Sequence, residues 1–267
     1  SRRERNLNMA YTVPASSIAF MGISALVGIA IPLVLYLYFR RKLHADRLPF
    51  WIGCIVFPVF ALGLEQAAYL LIMQWSGWQS IQNNLWLYAA VGGLFAGVFE
   101  ETGRLAAFMT VLRKKRGNDA NALMYGAGHG GIEAVLLLSL SMVSNLVYSL
   151  MVNAGTADPT TVSAAATLAQ TAPWMFLVGS LERIGAVALH LSLSVLVWFA
   201  VKNKKSFALY PLAILLHALV DFAAVAMSQS GVNVWLIEGA VFVLVGGCAA
   251  LAVLVWKRNK RQIESAE

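Results

Sequence analysis

Glu100 and Glu101, followed by Arg104, place two carboxylates and one cation within about one helical turn of an otherwise apolar stretch. Three of the four histidines, His129, His190 and His217, lie in other apolar stretches. Two of them have an acidic residue four positions on, Glu133 after His129 and Asp221 after His217, so each pair shares a helix face. Arg183, next to Glu182, precedes His190 by seven residues and is nearly eclipsed with it on a helix. These residue types support one kind of chemistry in particular. A carboxylate takes a proton from water, three imidazoles match the ligand set of a catalytic zinc with an open position, and further carboxylates orient ligating rings.

The elements that must carry these groups are membrane helices. Of 267 residues 59% are apolar and only 12% are charged, about half the charged fraction of a soluble domain. Seven stretches, near 15–39, 50–73, 86–112, 120–152, 173–201, 206–227 and 234–256, are apolar over the roughly 20 residues that a helix needs to cross a bilayer. The expected fold is therefore an all-α, polytopic helix bundle with about seven transmembrane helices. Residues 1–14 form an extracytoplasmic segment, 15–256 the transmembrane domain and 257–267 a basic cytoplasmic tail.

A net charge of +7 raises nucleic acid as a partner, but the placement of the charge excludes it. Fifteen of the twenty Lys and Arg follow alternate spans, at 40–47, 113–116, 202–205 and 257–261, whereas the connections 74–85, 153–172 and 228–233 contain none. By the positive-inside rule the basic ends are cytoplasmic, the N-terminus lies outside and the C-terminus inside. Arg2, Arg3 and Arg5 run against this rule, and Met9 as a start would make residues 1–8 a processed end or an expression remnant. The first span is too long for a signal peptide and ends in a basic stop-transfer cluster. Cys54 and Cys248 are isolated in predicted spans and act as small apolar fillers.

Subtracting the peripheral charges leaves Arg104 and Arg183 inside the spans, with no intramembrane Lys, which excludes a retinal Schiff base. Glu101, His129, His190 and His217 each lie 12 or 13 residues in from a basic cluster. At 1.5 Å per residue they share one layer about 18–20 Å deep. One such histidine is a packing residue; three at one depth with acidic partners make a site, because each buried ionisable group costs about 2.5 kcal/mol or more unless paired. Arg104 and Arg183 read first as structural counter-ions. Glu65 reaches a similar depth beside Gln66 and Tyr69 but stands alone, and Glu238 lies where snorkelling accounts for it. Gly93 and Gly97, and the glycines at 126, 128, 130 and 131, form seams that let helices approach closely, with exposed amides as their second potential use.

Glu100-Glu101-Thr102-Gly103-Arg104, Gly128-His129-Gly130-Gly131-Ile132-Glu133, Glu182-Arg183 with His190, and His217-Ala218-Leu219-Val220-Asp221 resemble the motifs of the YhfC family of intramembrane metalloproteases. That family sits in the wider group of type II CAAX prenyl proteases, bacteriocin-processing CPBP proteins, PrsW proteases and the gamma-secretase APH subunit. The resemblance runs from the first span to the last and implies an integral protein of a bacterial plasma membrane. It implies a peptidase with Glu100 as the base, Glu101 and Arg104 as a supporting pair, and His129, His190 and His217 binding zinc or, without metal, positioning water and the oxyanion; the three histidines favour zinc. The substrate is then a membrane-embedded or membrane-proximal peptide.

Departures limit what transfers. Arg104 comes one residue earlier than the Arg of the CAAX enzymes, at the PrsW Lys position, and Asp221 stands where CAAX enzymes often have Asn. Prenyl-protein processing is therefore not implied. No His-Glu-x-x-His is present, so the site is not of the zincin type. A proton- or metal-coupled transporter and a non-catalytic scaffold remain as alternatives. The first would show ion flux, and the second would tolerate substitution of the buried set.

Overall fold

Long apolar segments in lipid must satisfy their backbone groups internally, and every regular element among the described residues is helical. The computed structural model describes residues 12–264, so the expectations for residues 1–8 and for Arg2, Arg3 and Arg5 lie outside it. The helices are α1 (Ala15–Lys42), α2 (Leu48–Ile72), α3 (Trp78–Gln82), α4 (Leu85–Met109), α5 (Ala120–Asn153), α6 (Pro159–Gln170), α7 (Met175–Lys202), α8 (Leu209–Gln229) and α9 (Val234–Glu264). Six of these stretches, those of α1, α2, α5, α7, α8 and α9, are long and apolar enough to cross a membrane. The remaining expected span is α4, whose 25 residues are about 37 Å long but carry Glu100, Glu101 and Arg104. Residues 257–264 continue α9 as helix.

Local chemistry sets the ends. The Asn84 side chain accepts from the amides of Trp86 and Leu87, both at 3.1 Å, and opens α4. Asp158 does the same for α6 through Thr160 and Thr161, with Pro159 at the first helical position. Gly155 and Gly231, both at φ +70°, stop α5 and α8 in a conformation that a side chain disfavours. Pro58 has no N–H to donate, and α2 widens from it into π-helical turns over Pro58–Glu65; α5 does so over Val135–Ser139.

Contacts divide the chain into two compact units. One comprises residues up to Leu33 with Glu133–Ile184. Its core is built on Met21, Val152, Val162, Ala165 and Phe176, and hydrogen bonds tie it: Ser24 Oγ to the Phe176 carbonyl at 2.6 Å, and Ser139 Oγ to that of Ala25 at 2.8 Å.

The other unit comprises Val34–Ile132 with the chain from Gly185 onward. Residues 192–200 of α7 are all buried, and Trp198 sits edge-on to Phe108 of α4 with ring centroids 5.0 Å apart. α4 and α8 pack face to face because α4 offers glycine at the contact. A Cβ at Gly97 would stand 2.6 Å from the Ile214 carbonyl oxygen, and one at Gly93 would strike that of Ala218. On the outside, Leu70, Leu71, Leu215, Val243 and Leu254 are exposed, as a lipid-facing surface requires.

Candidate functional site

Three positions within about one turn of α4, Glu100, Glu101 and Arg104, begin the site. Glu101 and Arg104 are i, i+3 on one face and form an ion pair through Oε2 and Nη1, both side chains wholly buried. The other oxygen of Glu101 accepts from Nδ1 of His217 on α8 at 2.9 Å, and Nε2 of His217 is 3.5 Å from Asp221 Oδ2 one turn on. A buried charge left alone is strongly destabilising, so this run from Arg104 through Glu101 to His217 also locks α4 to α8.

Glu100, rotated 100° from Glu101, meets a different helix. His129 of α5 places Nε2 2.8 Å from Glu100 Oε2, its ring held between Phe57 and Tyr125 at centroid distances of 5.4 and 5.8 Å. His190 of α7 completes the group, with Nδ1 3.0 Å from Arg104 Nη2 and Nε2 3.9 Å from Glu100 Oε2. The rings of His129 and His190 lie 4.7 Å apart, and those of His190 and His217 5.3 Å apart. Six sequence-selected residues, Glu100, Glu101, Arg104, His129, His190 and His217, thus meet within one unit from four helices, and none is more than 6% exposed. Asp221 is the more open member, its side chain 36% exposed.

Glu133 lies four residues beyond His129 on α5. It belongs to the first unit, where Arg183 binds both Glu133 and Glu182. Conversely, Glu65, which stands alone in the sequence, is buried at the end of the π-helical stretch of α2 and interacts electrostatically with Glu100, Asp221 and His217. Its signal was depth together with Pro58, a helix disruptor seven residues earlier. Tyr125, whose hydroxyl is 3.5 Å from His129 Nδ1, gave no such signal because an aromatic in a span ordinarily fills space.

Glu100, His190 and His217 each offer one ligand atom, and these lie within 4.8 Å of one another, all buried. The donor set fits a divalent cation in two respects. Two imidazoles beside a carboxylate are borderline-soft donors of the kind that bind catalytic metals. His217 gives its other ring nitrogen to Glu101, the outer-shell carboxylate that orients a ligating ring. Arg104 Nε is buried without a hydrogen-bond partner, so one donor also remains for water or a carbonyl.

Comparison with known proteins shows the family of the chain. The chain is 36% identical over 263 residues to an uncharacterised membrane protein, YhfC, of Bacillus subtilis (strain 168), which covers 93% of this chain and 98% of the relative. No solved structure matches it. The model of a family described as YhfC intramembrane metalloprotease matches residues 26–241, which take in α4, α5, α7 and α8 with every residue of the buried group. A match over most of the chain, a relative matched nearly end to end and a buried Glu–His–His set agree: the chain belongs to the YhfC intramembrane metalloprotease family.

Proposed function

We propose that this protein hydrolyses a peptide bond within or beside the bilayer of a bacterial plasma membrane. The observation that carries the reading is the convergence of Glu100, His190 and His217 within 4.8 Å at a buried point of a chain whose family bears a metallopeptidase name. Glu100 is the base. The Nε2–H of His129 donates to one of its oxygens, which fixes the carboxylate and leaves lone pairs for a water. As the water oxygen attacks the scissile carbonyl carbon, its proton passes to Glu100 and from there to the leaving amine. His190 and His217 would hold a cation beside the Glu100 carboxylate, which we assign as zinc-type from the imidazole donors. Such a cation polarises a carbonyl and acidifies water.

His129 is then a positioning residue for Glu100, whereas depth in the sequence grouped it with the other two rings as a ligand. Glu101 and Arg104 hold His217 and His190, Asp221 flanks His217 on its more exposed side, and Glu133 with Arg183 maintains the first unit. The basic ends of the spans face the cytoplasm, and the substrate is a peptide reaching the site from the bilayer.

The test is metal content and turnover of the purified full chain. Ala at His190 or His217 should strip the metal, His129→Gln should retain it with slowed turnover, and Glu100→Gln should retain it and be inactive. Full metal occupancy in both the His190 and His217 variants would remove the cation assignment. A metal-free preparation that still cleaves would leave Glu100 to act on water alone.

A further inference from the structure

The connection after α4 and the turn before α8 meet at the basic end of the second unit, away from the buried group. There, Arg113, Arg116 and Lys204 line one cavity of about 470 Å³ together with Met109, Val201 and Phe207. No carboxylate lines it, and none pairs with these three cations among the described residues. The neighbouring acid, Asp119, is taken by Lys202 at 2.6 Å and by the Trp198 indole at 2.9 Å. Three like charges lining one space, two of them on exposed side chains, favour an anion there.

The cavity is also shaped in advance. Arg116 donates through Nη1 to the Val201 carbonyl at 3.2 Å and through Nε to that of Arg113 at 3.3 Å, so its guanidinium is fixed and its remaining N–H groups are free. A fixed guanidinium beside a second one suits the oxygens of a phosphate. The rest of the lining is apolar, and Met109 and Phe207 are each about half exposed, as is Val111 beside them (51%, 48% and 57%). A cationic floor with an apolar flank, at the membrane end of two spans, matches an amphiphile: a phosphate with hydrocarbon attached.

We propose that this cavity binds the phosphate of an acidic glycerophospholipid, with Arg113, Arg116 and Lys204 on the phosphate and Met109 and Phe207 against the start of its acyl chains. The basic face of the bundle thereby gains a resident lipid where the ends of α4 and α7 come together. The site is independent of the peptidase assignment, since it shares no residue with the buried group.

Native mass spectrometry of the detergent-solubilised full chain, titrated with phosphatidylglycerol, phosphatidylcholine and inorganic phosphate, tests it. Phosphatidylglycerol should bind one per chain in preference to phosphatidylcholine. The double substitution Arg113→Gln with Lys204→Gln, which spares the structural Arg116, should weaken that binding by about tenfold or more. Lys114→Gln with Lys205→Gln, which removes the same net charge from the same turns outside the cavity, should leave it unchanged. Equal loss in both double variants would reduce the effect to bulk charge, and equal binding of phosphatidylcholine would overturn the headgroup assignment. Saturation by inorganic phosphate with no preference for lipid would overturn the amphiphile in favour of a free anion.

Discussion

Arg104 Nη2 lies 3.0 Å from Nδ1 of His190, with both side chains buried. A guanidinium has only donors, so Nδ1 of His190 must present its lone pair and the ring hydrogen resides on Nε2, the nitrogen 3.9 Å from Glu100. His217 is held in the opposite sense, because its Nδ1 meets a carboxylate oxygen of Glu101 and donates, while Nε2 faces Asp221. One Glu101–Arg104 ion pair therefore fixes a ring hydrogen on opposite nitrogens of the two imidazoles, Nε2 of His190 and Nδ1 of His217.

That arrangement makes cation binding visible at His190. Ligation through Nε2 requires its hydrogen to move to Nδ1 and Arg104 to release that nitrogen, while keeping Glu101. Nitrogen-15 NMR of the metal-free protein should show the Nε2–H form at His190 and the Nδ1–H form at His217. Zinc should convert His190 to Nδ1–H and leave the His217 tautomer unchanged. A His190 ring already in the Nδ1–H form without metal would contradict the Arg104 contact.

The two neighbouring glutamates should separate function from stability. Glu100→Gln keeps an oxygen for the His129 N–H and should fold normally, with turnover abolished. Glu101→Gln and Arg104→Ala each leave an uncompensated buried charge and should lose on the order of 3–5 kcal/mol. Thermal melts of the three variants in one detergent decide the matter; a Glu100→Gln protein as unstable as Arg104→Ala would exchange the two roles.

Packing should matter to chemistry through Gly97. Any larger residue there pushes α8 away through the Ile214 carbonyl, and α8 carries His217 and Asp221. Gly97→Leu should cost about 1–3 kcal/mol and also lower metal content, because the His217 ring is displaced. Normal metal stoichiometry in a destabilised Gly97→Leu protein would show that the seam supports the bundle without aligning the site.

Orientation is open to chemical labelling. Cysteines introduced at the exposed positions Ser80 and Thr160 should react in intact cells with an impermeant thiol reagent, and one at Gly117 should react only after permeabilisation. Labelling of Gly117→Cys from outside would invert the topology.

At the basic face, Asp46 is predicted to respond to acid. Hydrogen bonds from Asn121 and Lys115, with the positive charges of Lys115 and Arg40, hold its carboxyl below the ordinary value of 3.8. Its stabilising contribution is thus fully present above the unfolded-state value of about 4 and is lost as pH falls through the lower folded-state value. The melting difference between the natural protein and Asp46→Asn should be constant from neutral pH to about pH 5 and shrink as pH falls below the unfolded-state value of about 4. A difference that persists undiminished in acid would mean that Asn121 and Lys115 do not depend on the charge.

Some of this protein is set by sequence alone, because it depends on local or one-dimensional quantities. Apolar segment length and the alternation of basic loops specify a membrane bundle, and counting residues inward from Arg113, Arg116, Lys202 and Lys205 places Glu101, His129, His190 and His217 at one depth. Depth along a helix is a count; rotation about its axis and the choice of neighbouring helix are not. Those follow from how Gly93 and Gly97 seat α4 on α8 and how His129 packs against Phe57 and Tyr125. Only the tertiary structure decides that His129 meets Glu100 while His190 meets Arg104, that Glu133 is bound to Arg183 in the other unit, and that Glu65 interacts with the charges of the buried group. The same physics leaves α4 outside the six helices that qualify as spans by length and composition: the charges that assemble the site are those that weaken its signal, and partners on α5, α7 and α8 offset their cost of burial.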